Sequence, residues 1–278
     1  VEGVNTLEFT SGGQTCFNFG WGQWGLHGIT FRIYYDAVRP HPTGRILTPA
    51  TGSTIAAEVL LEAEASSPNG DIAQVDFIGL YEDFDYEGNG QYRQWHYRYR
   101  SGEIRNHLGT ATESPFAVNW HTTWVPDQEE PMRIMARIKD DSGLVYMTPA
   151  VEGIDLERPG TSVKLYKPYN VPARWQTRLG ARLGSRVFVA DDLTRAEDAR
   201  LVLTTWNGAS VDVVGLNDAI LGSRLGSGHL FSYDEIPVPI AAIRPGTNLF
   251  YTMDTTNEHG IEVMWPGMAL LVRYAGLN

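Results

Sequence analysis

Arg133-Ile134-Met135-Ala136-Arg137-Ile138-Lys139 places Ile134, Ala136 and Ile138 on one side of an extended chain and Arg133, Arg137 and Lys139 on the other. That two-residue period belongs to a strand with one face in a core and one in water. Working outward, the same kind of run recurs at 55–65 (IAAEVLLEAEA), 200–205 (RLVLTT), 212–215, 268–274 (MALLVRY) and, near the start, 28–35 (GITFRIYY). Turn chemistry separates such runs: Ser67-Pro68-Asn69-Gly70, Asp141-Ser142-Gly143, Trp206-Asn207-Gly208 and Arg244-Pro245-Gly246-Thr247. Short strands with frequent turns predict sandwiches or barrels. The clearest helical candidate is 191–198, a turn or two in which Thr194 is the expected N-cap.

A chain of 278 residues has room for two domains with their own cores. Val38–Pro49 and Glu157-Arg158-Pro159-Gly160 read as linkers, dividing it into 1–38, 45–156 and 160–278. An internal similarity crosses these divisions. Residues 5–9 and 28–35 flank a tryptophan- and glycine-rich stretch, as do 247–251 and 267–274. The expectation is two copies of one closing hairpin. The first copy would be a partial sandwich, completed by an upstream domain or a neighbouring chain.

The net charge of −11 argues against binding a phosphate backbone, which needs clustered cations, so nucleic acid is not an expected partner. The acidity is local: residues 45–155 hold 8 basic and 18 acidic side chains, while 156–278 hold 12 of each. No apolar run is long enough for a membrane helix. The single cysteine, Cys16, cannot form an internal disulfide and suits a small buried position in a strand-like run. The Gly, Pro, Thr and aromatic content, with only Lys139, Lys164 and Lys167 as lysines, leans toward an extracellular or cell-surface protein.

Residues 45–156 resemble a bacterial immunoglobulin-like module. The carrying residues are 73–80 (AQVDFIGL), Ser114-Pro115-Phe116-Ala117-Val118-Asn119-Trp120 and 132–143, with an insertion at 81–109 inside the usual strand pair. Residues 160–278 are similar to the galactose-binding-like sandwich, a jelly roll, of secreted glycan-associated proteins. Here the likeness is carried by 199–203, 213–222 and 243–249, with Asp218 where that hairpin usually has glycine. The resemblance implies an all-β chain of tandem β-sandwich modules. Fold does not fix function.

Three constellations carry chemistry. Asp83, Asp85, Glu87 and Asn89 form D-x-D-x-E-G-N-G, alternate oxygen ligands before a glycine turn, as a hard cation such as calcium requires. Its twelfth position is Gln94 rather than a bidentate glutamate, and an exposed acidic turn gives the same pattern. In 93–108 (RQWHYRYRSGEIRNHL), a turn at Ser101-Gly102 pairs Arg100 with Glu103 and, counting back, His96 with His107. That register puts His96, Arg98, Arg100, Glu103, Arg105 and His107 on one face. His96, Arg98 and His107 are thus the alternative catalytic set, and the cationic face suits a charged sugar. The third constellation is aromatic: Trp206 and Trp265 as stacking surfaces, beside Asn207, Asp254, Asn257, Glu258 and His259 as polar neighbours. Trp175 is a third candidate surface, although large aromatics also fill sandwich cores.

No nucleophile elbow, zinc-protease helix, P-loop or dinucleotide fingerprint is present. The expectation is a non-catalytic protein that binds a glycan or cell-surface polysaccharide, with calcium ordering the insertion. The alternatives are a polysaccharide lyase or glycoside hydrolase, or part of one, and a structural subunit of an extracellular assembly.

Overall fold

The computed structural model describes residues 6–10, 34, 36, 38–100 and 103–276. Among them the regular elements are strands and short 3-10 turns. The first twelve strands are β1 (Thr43–Thr48), β2 (Thr54–Ile55), β3 (Glu58–Ser66), β4 (Ile72–Glu82), β5 (Arg93–His96), β6 (Arg98–Arg100), β7 (Glu103–Arg105), β8 (Gly109–Ala111), β9 (Phe116–His121), β10 (Met132–Asp140), β11 (Val145–Met147) and β12 (Val151–Leu156). A β1-β3-β9 sheet faces a larger sheet ordered β2-β12-β10-β4-β5, with β11 on β10 and β8 on β4. The core between them contains Leu61, Val75, Phe77, Trp120, Met132, Ile134, Ile138 and Ile154. The β10 strand obeys its sequence period: Ile134, Ala136 and Ile138 are fully buried while Arg133 lies in water.

A second sandwich follows: β13 (Thr161–Tyr166), β14 (Gln176–Thr177), β15 (Ala181–Val189), β16 (Ala196–Trp206), β17 (Val213–Leu216), β18 (Ala219–Gly222), β19 (Phe231–Pro237), β20 (Gly246–Asp254), β21 (Ile261–Val263) and β22 (Ala269–Ala275). One sheet runs β13-β22-β16-β21-β14 with β19 also on β16; the other runs β15-β20-β17-β18. Leu201, Leu203, Val214, Phe250, Leu270 and Tyr274 fill the space between them. The fold is an all-β tandem of sandwiches. No helix among the described residues is long and apolar enough to cross a membrane.

Several expectations are corrected. The stretch 38–49 is not a bare linker: Thr43–Thr48 is a strand paired with β3, its Ile46 turned into the core. The strands at 247–251 and 268–274 do not form a hairpin. They lie in opposite sheets and present Phe250 and Leu270 to the same core, because the intervening residues cross the sandwich through β21. Most of the earlier copy of that pattern, and Cys16, lie outside the described residues. At 191–198 the helix shrinks to a 3-10 turn, Leu193–Arg195, and the cap is Asp192, whose Oδ1 accepts from the Thr194 N–H at 2.9 Å. β16 then claims Ala196 onward, since pairing with β22 satisfies more backbone than another helical turn would.

The two sandwiches meet on the outer face of β13, β16 and β22. Phe84 is fully buried there among Val163, Val202, Ala269 and Leu271. The Tyr86 hydroxyl donates to that of Tyr233 at 3.2 Å, and Arg200 lies 4.1 Å over the Trp124 ring. The chain crosses between sandwiches at Arg158, itself buried, which donates to the carbonyls of Thr122 and Val125 and to Asp127 Oδ1. Burial pushes the Asp127 carboxyl up, but bonds from Ser162, the Val163 N–H and Arg158 outweigh it and hold the group below its ordinary range.

Candidate functional site

The first module covers only part of that outer sheet face. Beyond its cover, a row runs across four strands: Phe231 of β19, Trp206 of β16, Glu262 of β21 and Gln176 of β14, in register. Gln176 Nε2 donates to Glu262 Oε1 at 3.0 Å, and Arg174 donates to Gln176 Oε1 at 2.9 Å. Two exposed imidazoles flank the indole: His229 lies 5.5 Å and His259 5.9 Å from the Trp206 ring, and 5.6 Å from each other. Burial raises the Glu262 carboxyl above its usual value, opposed by the charges of Arg174 and His259. The arrangement is a half-buried indole with hydrogen-bonding side chains at its edges.

Of the residues expected here, Asn207 and Asp254 are buried supports. Asn207 sits in the left-handed region at φ 55°, where its short polar side chain is tolerated. Its Nδ2 donates to the His259 carbonyl, and its Oδ1 accepts from the His229 N–H at 3.0 Å, so one side chain fixes both histidine-bearing loops beside Trp206. Asp254 accepts from the N–H groups of Thr256 and Ile261, closing the loop that carries Asn257, Glu258 and His259. Those last three are exposed. Trp265 is 56% exposed. The 83–90 loop comes up against its backbone: a Cβ at Gly88 would stand 2.8 Å from the Trp265 carbonyl oxygen. His229, Glu262, Gln176 and Arg174 were missed because only nonlocal strand pairing sets them beside Trp206. No local signal marks that pairing.

The acidic loop turns largely inward. Asp83 and Asp85 are buried, and Asp83 Oδ1 accepts from the Phe84 N–H at 2.7 Å. Asp85 Oδ1 accepts from the Asn89 N–H and Gln94 Nε2, and its Oδ2 from the Gly90 N–H at 2.7 Å. Asn89 Oδ1 accepts from the Gln91 N–H, and Glu87 is exposed at the loop's rim. Gly88 takes φ +65°, the wrap-back that the sequence anticipates. Among the described residues, no group of three or more His, Cys, Asp or Glu side chains is arranged to hold a metal.

The β6–β7 hairpin keeps its expected register, Arg98 with Arg105 and Arg100 with Glu103. Counting back to His96 fails, because the ladder breaks at Tyr97 and His96 belongs to β5, opposite Gly79. His96 is therefore buried rather than on the polar face. Its Nε2 lies 2.8 Å from the Tyr81 carbonyl and its ring 4.1 Å from that of Tyr81. Desolvation brings it down to about 4. Arg98 donates to the Tyr86 carbonyl, and His107 Nε2 bonds the Thr110 hydroxyl. The three residues thus meet separate partners.

The description bacterial Ig domain matches residues 42–134, about a third of the chain. No curated protein sequence matches. Among solved structures, a β-porphyranase of glycoside hydrolase family 86 from the human gut bacterium Bacteroides plebeius is similar at 14% identity and TM-score 0.35, over 87% of this chain and 38% of that one. Fibronectin(III)-like modules from Clostridium thermocellum are similar at 12% identity and TM-score 0.28, over 77% and 90%. A structure of infectious bursal disease virus is similar at 9% identity and TM-score 0.26, over 88% and 75%. An enzyme, fibronectin(III)-like modules and a virus share this degree of likeness, which therefore says nothing of ligand or activity. The chain spans under two-fifths of the porphyranase's length. Residues 42–134 are similar to the bacterial Ig domain, and they make up most of the first sandwich.

Proposed function

We propose that the protein is a non-catalytic carbohydrate-binding protein of an extracellular or cell-surface system, and that the platform around Trp206 receives the glycan. The observation that carries this reading is the row Trp206–Glu262–Gln176 with His229 and His259 at its border. The apolar face of a sugar ring stacks on an indole, while carboxylate, amide and imidazole groups bond the hydroxyls. An aromatic in such a setting typically dominates binding energy. Asn207 and Asp254 supply rigidity by fixing the loops before ligand arrives, which lowers the ordering cost.

Electrophoresis through gels containing neutral polysaccharides tests the reading. Retardation by at least one of them is expected, and Trp206→Ala should weaken it by about tenfold or more, roughly 1.4 kcal/mol. Equal retardation of wild type and Trp206→Ala would remove the platform from the binding account. Retardation by none of a broad panel would remove neutral-glycan binding itself.

A further inference from the structure

A cleft of about 260 Å³ opens on the first sandwich between the outer face of β4 and β10 and the β6–β7 hairpin. Gln74, Thr110, Arg137 and Lys139 form its floor, and Glu103 and Arg105 its wall. Its size lies just below the ordinary range for small-molecule sites, about 300–1,000 Å³, and suits a single charged group or sugar unit.

The floor is organised by one buried charge. Asp76 is fully buried and accepts from Gln74 Nε2 at 2.9 and 3.0 Å, Thr110 Oγ1 at 2.7 Å and Arg137 Nη1 at 2.8 Å. Strand register sets these groups side by side: Thr110 opposite Asp76, Asp76 opposite Arg137, and Gln74 opposite Lys139. Asp76 is enclosed by donors and holds Arg137 in place. The mouth is left with Lys139, which has no ion-pair partner among the described residues, and with Arg105, paired to the exposed Glu103. Three of the eight basic side chains in a segment with 18 acidic ones thus line one cleft. The acidic surroundings do not cancel this, since exposed charges beyond about 8 Å are largely screened at physiological salt.

We propose that this cleft binds the anionic group, carboxylate or sulfate ester, of an acidic glycan. Lys139 and Arg105 are its charged contacts, with Arg137 and Gln74 held as donors by Asp76. The proposal rests on the glycan-binding reading and adds a ligand class and a second point of attachment, separate from the Trp206 platform.

The full chain is run through gels containing polygalacturonate, a sulfated galactan or a neutral polysaccharide. The variants are Lys139→Gln, Arg105→Gln, their double and Trp206→Ala, each with its melting midpoint checked. Retardation by an acidic polysaccharide is expected. It should weaken at least tenfold in the double variant and with added salt, while neutral-glycan binding by the same variant stays at the wild-type level. Acidic-glycan binding that is unchanged in the double variant overturns the proposal. So does retardation by neutral polysaccharides alone, which leaves the Trp206 reading standing. Failure to bind any polysaccharide ends both. Protection of the melt by inorganic sulfate without retardation by any acidic polysaccharide assigns the cleft to a free anion and also overturns the proposal. Should the double variant lose its midpoint, Lys139→Gln alone, with its stem retained, decides between the same outcomes.

Discussion

Asp83, just past the end of β4, and His96, the last residue of β5, respond to acid in opposite directions. Burial at the interface, with the Glu235 charge nearby, pushes the Asp83 carboxyl up to about 7, whereas desolvation brings His96 down to about 4. Between about pH 4 and 7 the folded chain keeps the Asp83 proton that an unfolded aspartate has lost, so this group's contribution to stability falls as pH rises. Between about pH 4 and 6.5 an unfolded histidine holds a proton that folded His96 refuses, so its contribution rises with pH. The two slopes, each about 1.4 kcal/mol per pH unit at most, offset one another over their shared window. Asp83→Asn keeps an oxygen for the Phe84 N–H and removes the falling slope. Urea unfolding across pH 4–8 should therefore show the variant gaining stability from pH 4 to 6.5. It should exceed wild type at pH 8 by on the order of a few kcal/mol. A variant that tracks wild type at every pH would place the Asp83 proton elsewhere.

At the scale of elements, the 83–90 loop joins two features that the sequence presents separately. Its polar residues satisfy their own loop: Asp85 takes the N–H groups of Asn89 and Gly90 and the amide of Gln94. Its aromatic residues, Phe84 and Tyr86, insert into the second sandwich. Donors that already occupy both Asp85 oxygens account for the turn from within. Asp85→Ala removes the charged acceptor of three part-buried hydrogen bonds, from the Asn89 and Gly90 N–H groups and the Gln94 amide, at a cost of about 1–3 kcal/mol. Chelator-stripped protein and its Asp85→Ala variant are expected to differ by that amount with or without millimolar calcium. A midpoint that calcium raises in wild type alone would instead make the loop a cation site, because a ligand bound only by the folded state must stabilise it.

On the scale of the whole molecule, Phe84 decides whether the sandwiches behave as one body. Its ring is fully buried between them, Arg158 and Asp127 pin the crossing, and Lys167 reaches Glu82 at 2.7 Å. Phe84→Ala is expected to cost about 3–5 kcal/mol. Much of that loss falls on the interface, so calorimetry should show one transition in wild type separating into two in the variant. A single transition merely shifted to lower temperature would mean that Arg158 and the tyrosines suffice for coupling. The same docking leaves the Trp206 end of the sheet open, so the position of the first module defines the platform's boundary.

The sequence by itself determined strands of both sandwiches: burial of one face leaves a two-residue mark, as at 133–139, and burial of both faces leaves a continuous apolar run, as at 201–203. It also determined tight turns, since Asn207 at φ 55° and the glycines at Gly70 and Gly143 answer a steric need of the backbone alone. Trp206 and His259 were legible as an aromatic beside a polar loop. Tertiary structure alone decided that the strands at 247–251 and 268–274 lie in opposite sheets, that His96 faces the core, and that Asn207 and Asp254 serve as supports. It alone brought Glu262, Gln176, His229 and the buried Asp76 with its cations into their clusters. Local chemistry fixes what a strand or turn is. Which strands become neighbours is settled by packing two sheets around a shared core, a contest among distant residues that no short window of sequence records.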